Sequence, residues 1–135
     1  MDASSTADWT ADEAEQELQK VRRSCLPLPE VTTRPSHGGP GFFIRDKKLF
    51  VMFVDDHHGD GRLAIWCAAP DGVQAELLDT EPERFFRPPY VGHRGWIGVQ
   101  LRTVEQDELD NIAEEAYRCI APKTLLKQLD EGPRR

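Results

Sequence analysis

The sequence lacks any hydrophobic run long enough to cross a membrane. Its wholly apolar stretches, such as residues 49–54, are short, whereas a helical span needs about 20 residues. The N-terminus is acidic and has neither the basic start nor the apolar stretch of a signal peptide. We therefore expect a cytoplasmic protein with no membrane partner.

Cysteine is scarce, and nothing about its spacing indicates a covalent or metal framework. The chain has three cysteines, Cys25, Cys67 and Cys119, which are widely separated and form no CxxC pair. An odd number at such spacing favours neither a disulfide scaffold nor a zinc knuckle. Because all three fall on apparent core faces, we expect reduced, buried thiols.

Positive charge is also in deficit. Lys and Arg number 17 against 24 Asp and Glu, and the formal net charge is −7. This balance disfavours a general attraction to polyanions. The acidity belongs to the terminal segments, however, while the central part of the chain is close to neutral and holds all four histidines. A local basic patch is therefore compatible with the composition.

Hydrophobic periodicity predicts one α+β domain. Thr10 and Glu13 form a capping-box pattern ahead of a helix ending near residue 26. Strands are predicted at 41–45, 48–54, 62–69 and 96–102, and helices at 73–79, 104–120 and 123–129. The order is a helix, three strands, a short helix, one or two strands and a long helix, written α-β-β-β-α-β-β-α when two strands follow the short helix and the last short helix is counted with the long one. The sheet is antiparallel and the helices are segregated from it. We expect a flexible N-terminus at 1–9, a single domain over 10–129 and a flexible tail at 130–135.

Three local features sharpen this prediction. Residues 49–54 are apolar at every position, which predicts a central strand covered on both faces. Gly98 alternates with apolar residues, which indicates that something packs closely against the opposite face there. Residues 34–41 are so rich in Gly and Pro that we expect a shaped loop, or at most a short edge strand. In the short helix, Ala75, Leu77 and Leu78 are expected to be buried.

Residues 84–96 form the most distinctive stretch of the chain, because they combine aromatic, basic, Pro and Gly residues. Guanidinium groups beside aromatic rings suit phosphate and nucleobase recognition, and they suit an acidic peptide equally well. The alternative is structural, with the aromatic side chains anchoring a long loop to the core. The candidate binding surface comprises Arg84, Arg87, Tyr90, His93, Arg94 and Trp96, with Lys47, Lys48 and Arg62 on neighbouring strands or turns.

Catalytic and metal sites find little support in the sequence. The four histidines have neither HExxH nor HxH spacing, and adjacent His57 and His58 would point apart on a strand unless a turn bends them. Ser36 next to His37 has no nucleophile-elbow context. The Gly-rich segments match no phosphate-binding loop. We therefore predict no catalytic residue, no metal and no cofactor.

An ordered set of short motifs nevertheless resembles the MmcQ/YjbR family over nearly the whole domain. The motifs, as they stand in this sequence, are Leu28-Pro29-Glu30-Val31, Arg34-Pro35-Ser36-His37-Gly38, Phe42-Phe43-Ile44-Arg45, His58-Gly59-Asp60-Gly61-Arg62, Ala64-Ile65-Trp66-Cys67, Arg84-Phe85-Phe86, Pro88-Pro89-Tyr90-Val91-Gly92, Gly95-Trp96-Ile97-Gly98-Val99 and Ala116-Tyr117 through Ala121-Pro122-Lys123. The resemblance implies an α+β fold similar to that of secretion chaperones, and DNA binding.

Two functional hypotheses follow. The first is a non-enzymatic DNA-binding protein in which Arg87, Arg94 and Lys48 contact phosphate, with Arg62 and His93 on the same basic and aromatic face. Tyr90 and Trp96 would stack on bases or shape the surface, and His37 would line the same groove. The second is a protein-interaction or chaperone-like module that binds another protein or, as a homodimer, a second copy of itself.

Overall fold

The computed structural model describes residues 7–132 of the chain. Its first helix, α1 (Ala11–Cys25), begins at the predicted capping box. The Thr10 hydroxyl accepts a hydrogen bond from the Glu13 backbone N–H at 3.1 Å, and the Glu13 carboxylate accepts one from the Thr10 N–H at 3.0 Å. Two backbone donors at the helix start are satisfied in this way, and the predicted capping box is confirmed.

Six antiparallel strands form one sheet in the order β1-β2-β3-β4-β6-β5. The strands are β1 (Val31–Ser36), β2 (Gly39–Ile44), β3 (Lys48–Asp55), β4 (Leu63–Cys67), β5 (Phe85–Phe86) and β6 (Ile97–Gln100). The remaining helices are α2 (Val73–Thr80), α3 (Gln106–Ile120) and α4 (Lys123–Glu131). The predicted single-domain α+β class with an antiparallel sheet is confirmed.

The Gly- and Pro-rich segment belongs to a β-hairpin, so the shaped loop is wrong and the alternative of an edge strand is confirmed for residues 34–36. β1 pairs with β2 along its whole length, and Pro35 lies opposite Pro40. Proline lacks a backbone donor, so it is tolerated here because β1 is the edge of the sheet and leaves one side unpaired. His37 and Gly38 connect the two strands, and both have positive φ (51° and 91°), as a type I′ hairpin turn requires.

The helices cover one face of the sheet and bury the larger hydrophobic core there. Val21 and Cys25 of α1, Ala116 and Tyr117 of α3 and Leu125 of α4 belong to the same cluster as Phe50. The Phe50 and Tyr117 rings meet edge to face at 5.7 Å, and the Tyr117 hydroxyl donates to the Pro29 carbonyl at 2.8 Å. β3 lies in the interior of the sheet, and its residues from Phe50 to Val54 are all buried, as predicted.

The opposite side of the sheet carries a smaller cluster that contains no helical residue, and we call it the open face. Its buried members are Met52, Val54, Ala64, Trp66 and Phe86. The Phe86 ring lies flat over Gly98, where a Cβ atom would come within 2.3 Å of it. The close packing expected at Gly98 is therefore confirmed, and Phe86 is what packs there.

Some burial predictions were wrong. Cys25 and Cys67 are buried, but Cys119 is exposed because it falls on the outer side of α3. In α2, Leu77 and Leu78 are only partly buried and Ala75 is exposed, since that helix lies at the edge of the core. None of the helices within residues 7–132 is long and apolar enough to cross a membrane.

Candidate ligand-binding pocket

A cavity of about 550 Å³ opens on the open face, between the β1–β2 turn, the turn after β3 and the loop before β6. We call it the sheet-face pocket. Its lining is His37, Leu49, Met52, His57, His58, Trp66, Tyr90, Val91, Arg94 and Trp96. The volume and the largely apolar, aromatic wall are those of a small-molecule site.

Three of the lining residues have an uncommon backbone conformation. His37, His58 and Tyr90 have φ values of 51°, 51° and 66°, in the left-handed region that favours glycine. Each of the three lies in a different connection between strands, so three separate segments bring a residue with a strained backbone to the same cavity. Non-glycine residues are held in this way mainly where the surrounding structure has a functional reason to hold them.

Two polar atoms in the pocket wall are buried without a partner. Trp66 is 4% exposed, and neither its Nε1 nor the Nε2 of His57 has a hydrogen-bond partner among the described residues. The two rings meet edge to face at a centroid distance of 4.9 Å. Most buried polar groups in proteins have a hydrogen-bond partner, so two neighbouring buried atoms without one are unusual.

The electrostatics of the pocket differ from those of the whole molecule. The chain has a net charge of −7, yet the lining contains Arg94 and three histidines and no carboxylate. The Arg94 guanidinium lies over the Trp96 ring, with Cζ 5.1 Å from its centroid. On the same face, Arg62 covers Phe86 at 4.0 Å and Arg34 covers Phe43 at 3.8 Å. Stacked guanidinium groups therefore recur across the open face.

The loop that carries Tyr90 and Arg94 is held by α2. The Gln74 side-chain amide donates to the carbonyls of Gly92 at 2.8 Å and of Trp96 at 2.6 Å. Arg87 donates to the Gln74 side chain at 3.4 Å, and its stem occupies the space that a Cβ on Gly92 would need, 2.6 Å away. Gln74 and Arg87 thus position the loop from outside the pocket.

The turn after β3 brings His57 and His58 together. Asp56 has φ 55° and accepts a hydrogen bond from the Gly61 N–H at 2.7 Å, while Asp60 accepts one from the Arg62 N–H at 3.0 Å. The two imidazole rings lie 4.2 Å apart, so the turn does bend them onto one side. Within residues 7–132, no group of three or more His, Cys, Asp and Glu side chains is placed to hold a metal ion.

Of the eight residues predicted as ligand-binding, four line the sheet-face pocket: His37, Tyr90, Arg94 and Trp96. Tyr90 is 68% exposed at the rim, whereas Trp96 is 3% exposed and shapes the wall rather than offering a free stacking surface. The other four, Lys48, Arg62, Arg87 and His93, do not line it. Lys48 pairs with Ile44 beside the β2–β3 turn, and His93 is exposed next to Arg94.

Six of the ten lining residues were not predicted as ligand-binding, and neither was Gln74, which positions the loop. The six are Leu49, Met52, His57, His58, Trp66 and Val91. Trp66 alternates with Ile65 along β4, but nothing local distinguishes a sheet face that carries a cavity from a solvated one. The contacts of Gln74 lie 18 and 22 residues away in sequence, beyond the reach of any spacing rule.

Arg84 does not join a binding surface, because it is bound to acidic residues on the helix side. It forms ion pairs with Glu108 of α3 and with Glu81. Hydrogen bonds to Glu108 and to Glu81 raise the pKa of Arg84 above its usual value. Arg84 therefore ties the loop between α2 and β5 to α3.

The cysteines are poorly suited to nucleophilic catalysis. Burial, with a smaller contribution from Cys119, raises the pKa of Cys67 far above its usual range. Partial burial also raises the pKa of Cys119, and the nearby carboxylates of Glu115 and Asp71 add to the effect. A thiol with a raised pKa supplies little thiolate at neutral pH.

Comparison with known families gives one match. A family model described as YjbR matches residues 26–119, which include every strand of the sheet and all ten pocket-lining residues. The same comparisons found no match among curated proteins and none among solved structures.

Proposed function

Because the chain belongs to the YjbR family, we propose that it is a non-enzymatic, cytoplasmic binding protein that holds single-stranded DNA on the open face. The observation that carries this proposal is the sheet-face pocket itself, where Arg94 stands at an aromatic cavity free of carboxylates. An unstacked base fits such a cavity, and the adjoining phosphate can be met by the guanidinium group.

A single strand suits this geometry better than a duplex. In a duplex the bases are stacked and paired, so their faces are not available to a pocket. The net charge of −7 also limits the number of phosphates that the protein can approach at once. We therefore expect a short binding site with few ionic contacts, supplied by Arg94 and by the more distant Arg62. Lys48 cannot join them, because its cross-strand partner Ile44 belongs to the helix-side core.

The direct test is fluorescence anisotropy with a labelled single-stranded oligonucleotide and the duplex of the same sequence. The single strand should bind more tightly, and with about two phosphate contacts log K should fall against log salt with a slope of about −1.4. Arg94→Ala should weaken binding about tenfold, because it removes a charged hydrogen bond to phosphate.

Lys127→Ala is the matched control for the DNA test, since it removes the same charge from exposed α4 on the helix side. Its affinity should equal that of the wild type. If single-stranded DNA does not bind at about 20 mM salt, or if Arg94→Ala and Lys127→Ala bind alike, the proposal is wrong.

The second candidate is a protein-interaction module, and one observation favours it. Tyr90 is 68% exposed at the rim of an apolar pocket, which is how aromatic anchors stand at protein interfaces. If the partner is a second copy of this chain, light scattering should give the mass of a dimer. Tyr90→Ser should then return the monomer, while Leu26→Ser, at the exposed end of α1 on the helix side, should not. A monomeric wild type would exclude the homodimer.

A further inference from the structure

We propose that the sheet-face pocket binds a planar aromatic anion, with the ring among Trp66, Trp96 and Tyr90 and the anionic group at Arg94. This inference rests on the proposed function in using the same pocket, and it names the chemistry of the group that enters. Such a group is carried by a free aromatic acid and also by a nucleotide unit of a DNA strand.

The aromatic part follows from the composition and volume of the wall. The cavity of about 550 Å³ is surrounded by three aromatic residues, by the side chains of Leu49, Met52 and Val91, and by two histidine rings. The His57 ring lies against Trp66, and the His58 ring lies against His57. Trp66 and Tyr90 have centroids 6.2 Å apart, and His57 lies 5.9 Å from Tyr90. A flat ring can therefore meet several aromatic neighbours at stacking or edge-to-face distances.

The anionic part follows from charge. With 24 acidic residues in the chain, a lining of one arginine and three histidines without any carboxylate selects against cations. Arg94 is exposed at the loop and stacked on Trp96, so the ring orients the guanidinium group and leaves its edge free to bind an oxyanion.

The strained and unpartnered groups indicate that the cavity is maintained for a ligand. Left-handed His37, His58 and Tyr90 cost stability, as do the orphan Nε1 of Trp66 and Nε2 of His57. Among the residues that the structure describes, three of the seven non-glycine residues with positive φ and two of the four buried side-chain atoms without a hydrogen-bond partner lie around this one cavity.

The experiment is a titration followed by the indole N–H signals in a ¹⁵N–¹H correlation spectrum. The chain has three tryptophans, and Trp9→Phe and Trp96→Phe variants assign the three signals. The probes are 2-naphthoate, its neutral analogue 2-naphthamide, and thymidine 5′-monophosphate. The Trp66 and Trp96 signals should move together on adding either anion. The Trp9 indole, which donates to Asp55 at 2.9 Å and does not line the pocket, should move much less.

Arg94→Gln should weaken 2-naphthoate binding about tenfold, whereas Lys127→Gln should leave it unchanged. 2-Naphthamide should bind about tenfold more weakly than 2-naphthoate for the same reason. If thymidine 5′-monophosphate binds more tightly than 2-naphthoate, the pocket is assigned to a nucleotide unit. If 2-naphthoate binds more tightly, the pocket is assigned to a free aromatic acid. Equal affinity for naphthoate and naphthamide, or no movement of the Trp66 signal with either anion, overturns the proposal.

The two proposals fail in different ways. If the protein binds 2-naphthoate in the pocket but no single-stranded DNA, the aromatic-anion site stands and the DNA function falls. If single-stranded DNA binds while neither the DNA nor either anion moves the Trp66 signal, DNA uses another part of the surface and the pocket proposal falls.

Discussion

Replacement of Phe50 by alanine should lower the free energy of unfolding by about 3–5 kcal/mol. Phe50 is fully buried on interior strand β3, in the helix-side core, and its ring meets Tyr117 of α3 edge to face at 5.7 Å. The deletion leaves a cavity that β2 and β4 cannot close, because both are hydrogen-bonded to β3. The loss therefore combines the transfer free energy of the ring with the cost of the cavity.

Chemical denaturation followed by circular dichroism measures this change. Phe50→Leu is the matched control, because it retains most of the volume and should cost less than about 1.5 kcal/mol. A double-mutant cycle with Tyr117→Leu should return a coupling free energy of about 0.5–1.5 kcal/mol for the aromatic pair. A loss below about 1 kcal/mol for Phe50→Ala would mean that α3 does not pack on β3 as described.

Lys20→Met should lower the free energy of unfolding by about 2–4 kcal/mol, an unusual cost for a lysine. Its Nζ donates to the carbonyls of Leu101 at 2.9 Å and Val104 at 2.8 Å, and it pairs with Glu17 at 2.7 Å. Methionine keeps the apolar stem and removes only the ammonium group. Two partly buried carbonyls in the connection between β6 and α3 then lose a charged donor.

The same denaturation experiment on Lys127→Met provides the control. Lys127 lies on the exposed side of α4, so the matched substitution should change stability by less than about 0.5 kcal/mol. Hydrogen exchange of α3 should also accelerate in Lys20→Met, since this lysine joins α1 to the segment that leads into α3. Equal free energies of unfolding for Lys20→Met and Lys127→Met would show that water replaces the ammonium group as the hydrogen-bond donor to these carbonyls.

Several features of the fold could be predicted because their causes are local. The capping box at Thr10 and Glu13 joins residues three apart, and its geometry is the same in any helix that starts there. The uniformly apolar residues 49–54 required a strand with two covered faces, and β3 has them. Gly98 indicated close packing from its position in an alternating strand, although the sequence could not name Phe86 as its neighbour.

Predictions failed where the outcome depended on distant partners. Pro35 and Pro40 indicated irregular structure, yet they face each other in a regular hairpin because β1 happens to be an edge strand. Arg84 lies in a basic, aromatic segment typical of a binding surface. Glu108, 24 residues away, instead accepts a hydrogen bond from Arg84 and fixes it on the helix side. Cys119 fits the period of a core position but lies on the outer side of α3.

Only four of the eight predicted ligand-binding residues line the pocket, because the rest of the site also depends on contacts between distant segments. His37, Tyr90, Arg94 and Trp96 were selected for their chemistry, and the fold brings them to one cavity. Their residue types did not show that Trp96 is buried and forms part of the pocket wall, or that Trp66 and His57 complete that wall. They also did not show that Arg87 and Gln74 position the loop from outside the pocket.

By itself, the sequence determined the element types, the α+β class, the family motifs and the presence of a basic, aromatic segment in an acidic chain. These depend on periodicity and on interactions between residues close in sequence. Only the tertiary structure decided which arginines pair with carboxylates, which stack on aromatic rings and which do both, and where a cavity without carboxylates opens. Those outcomes are set by contacts between segments far apart in the chain, so the register and order of the strands must exist before the site does.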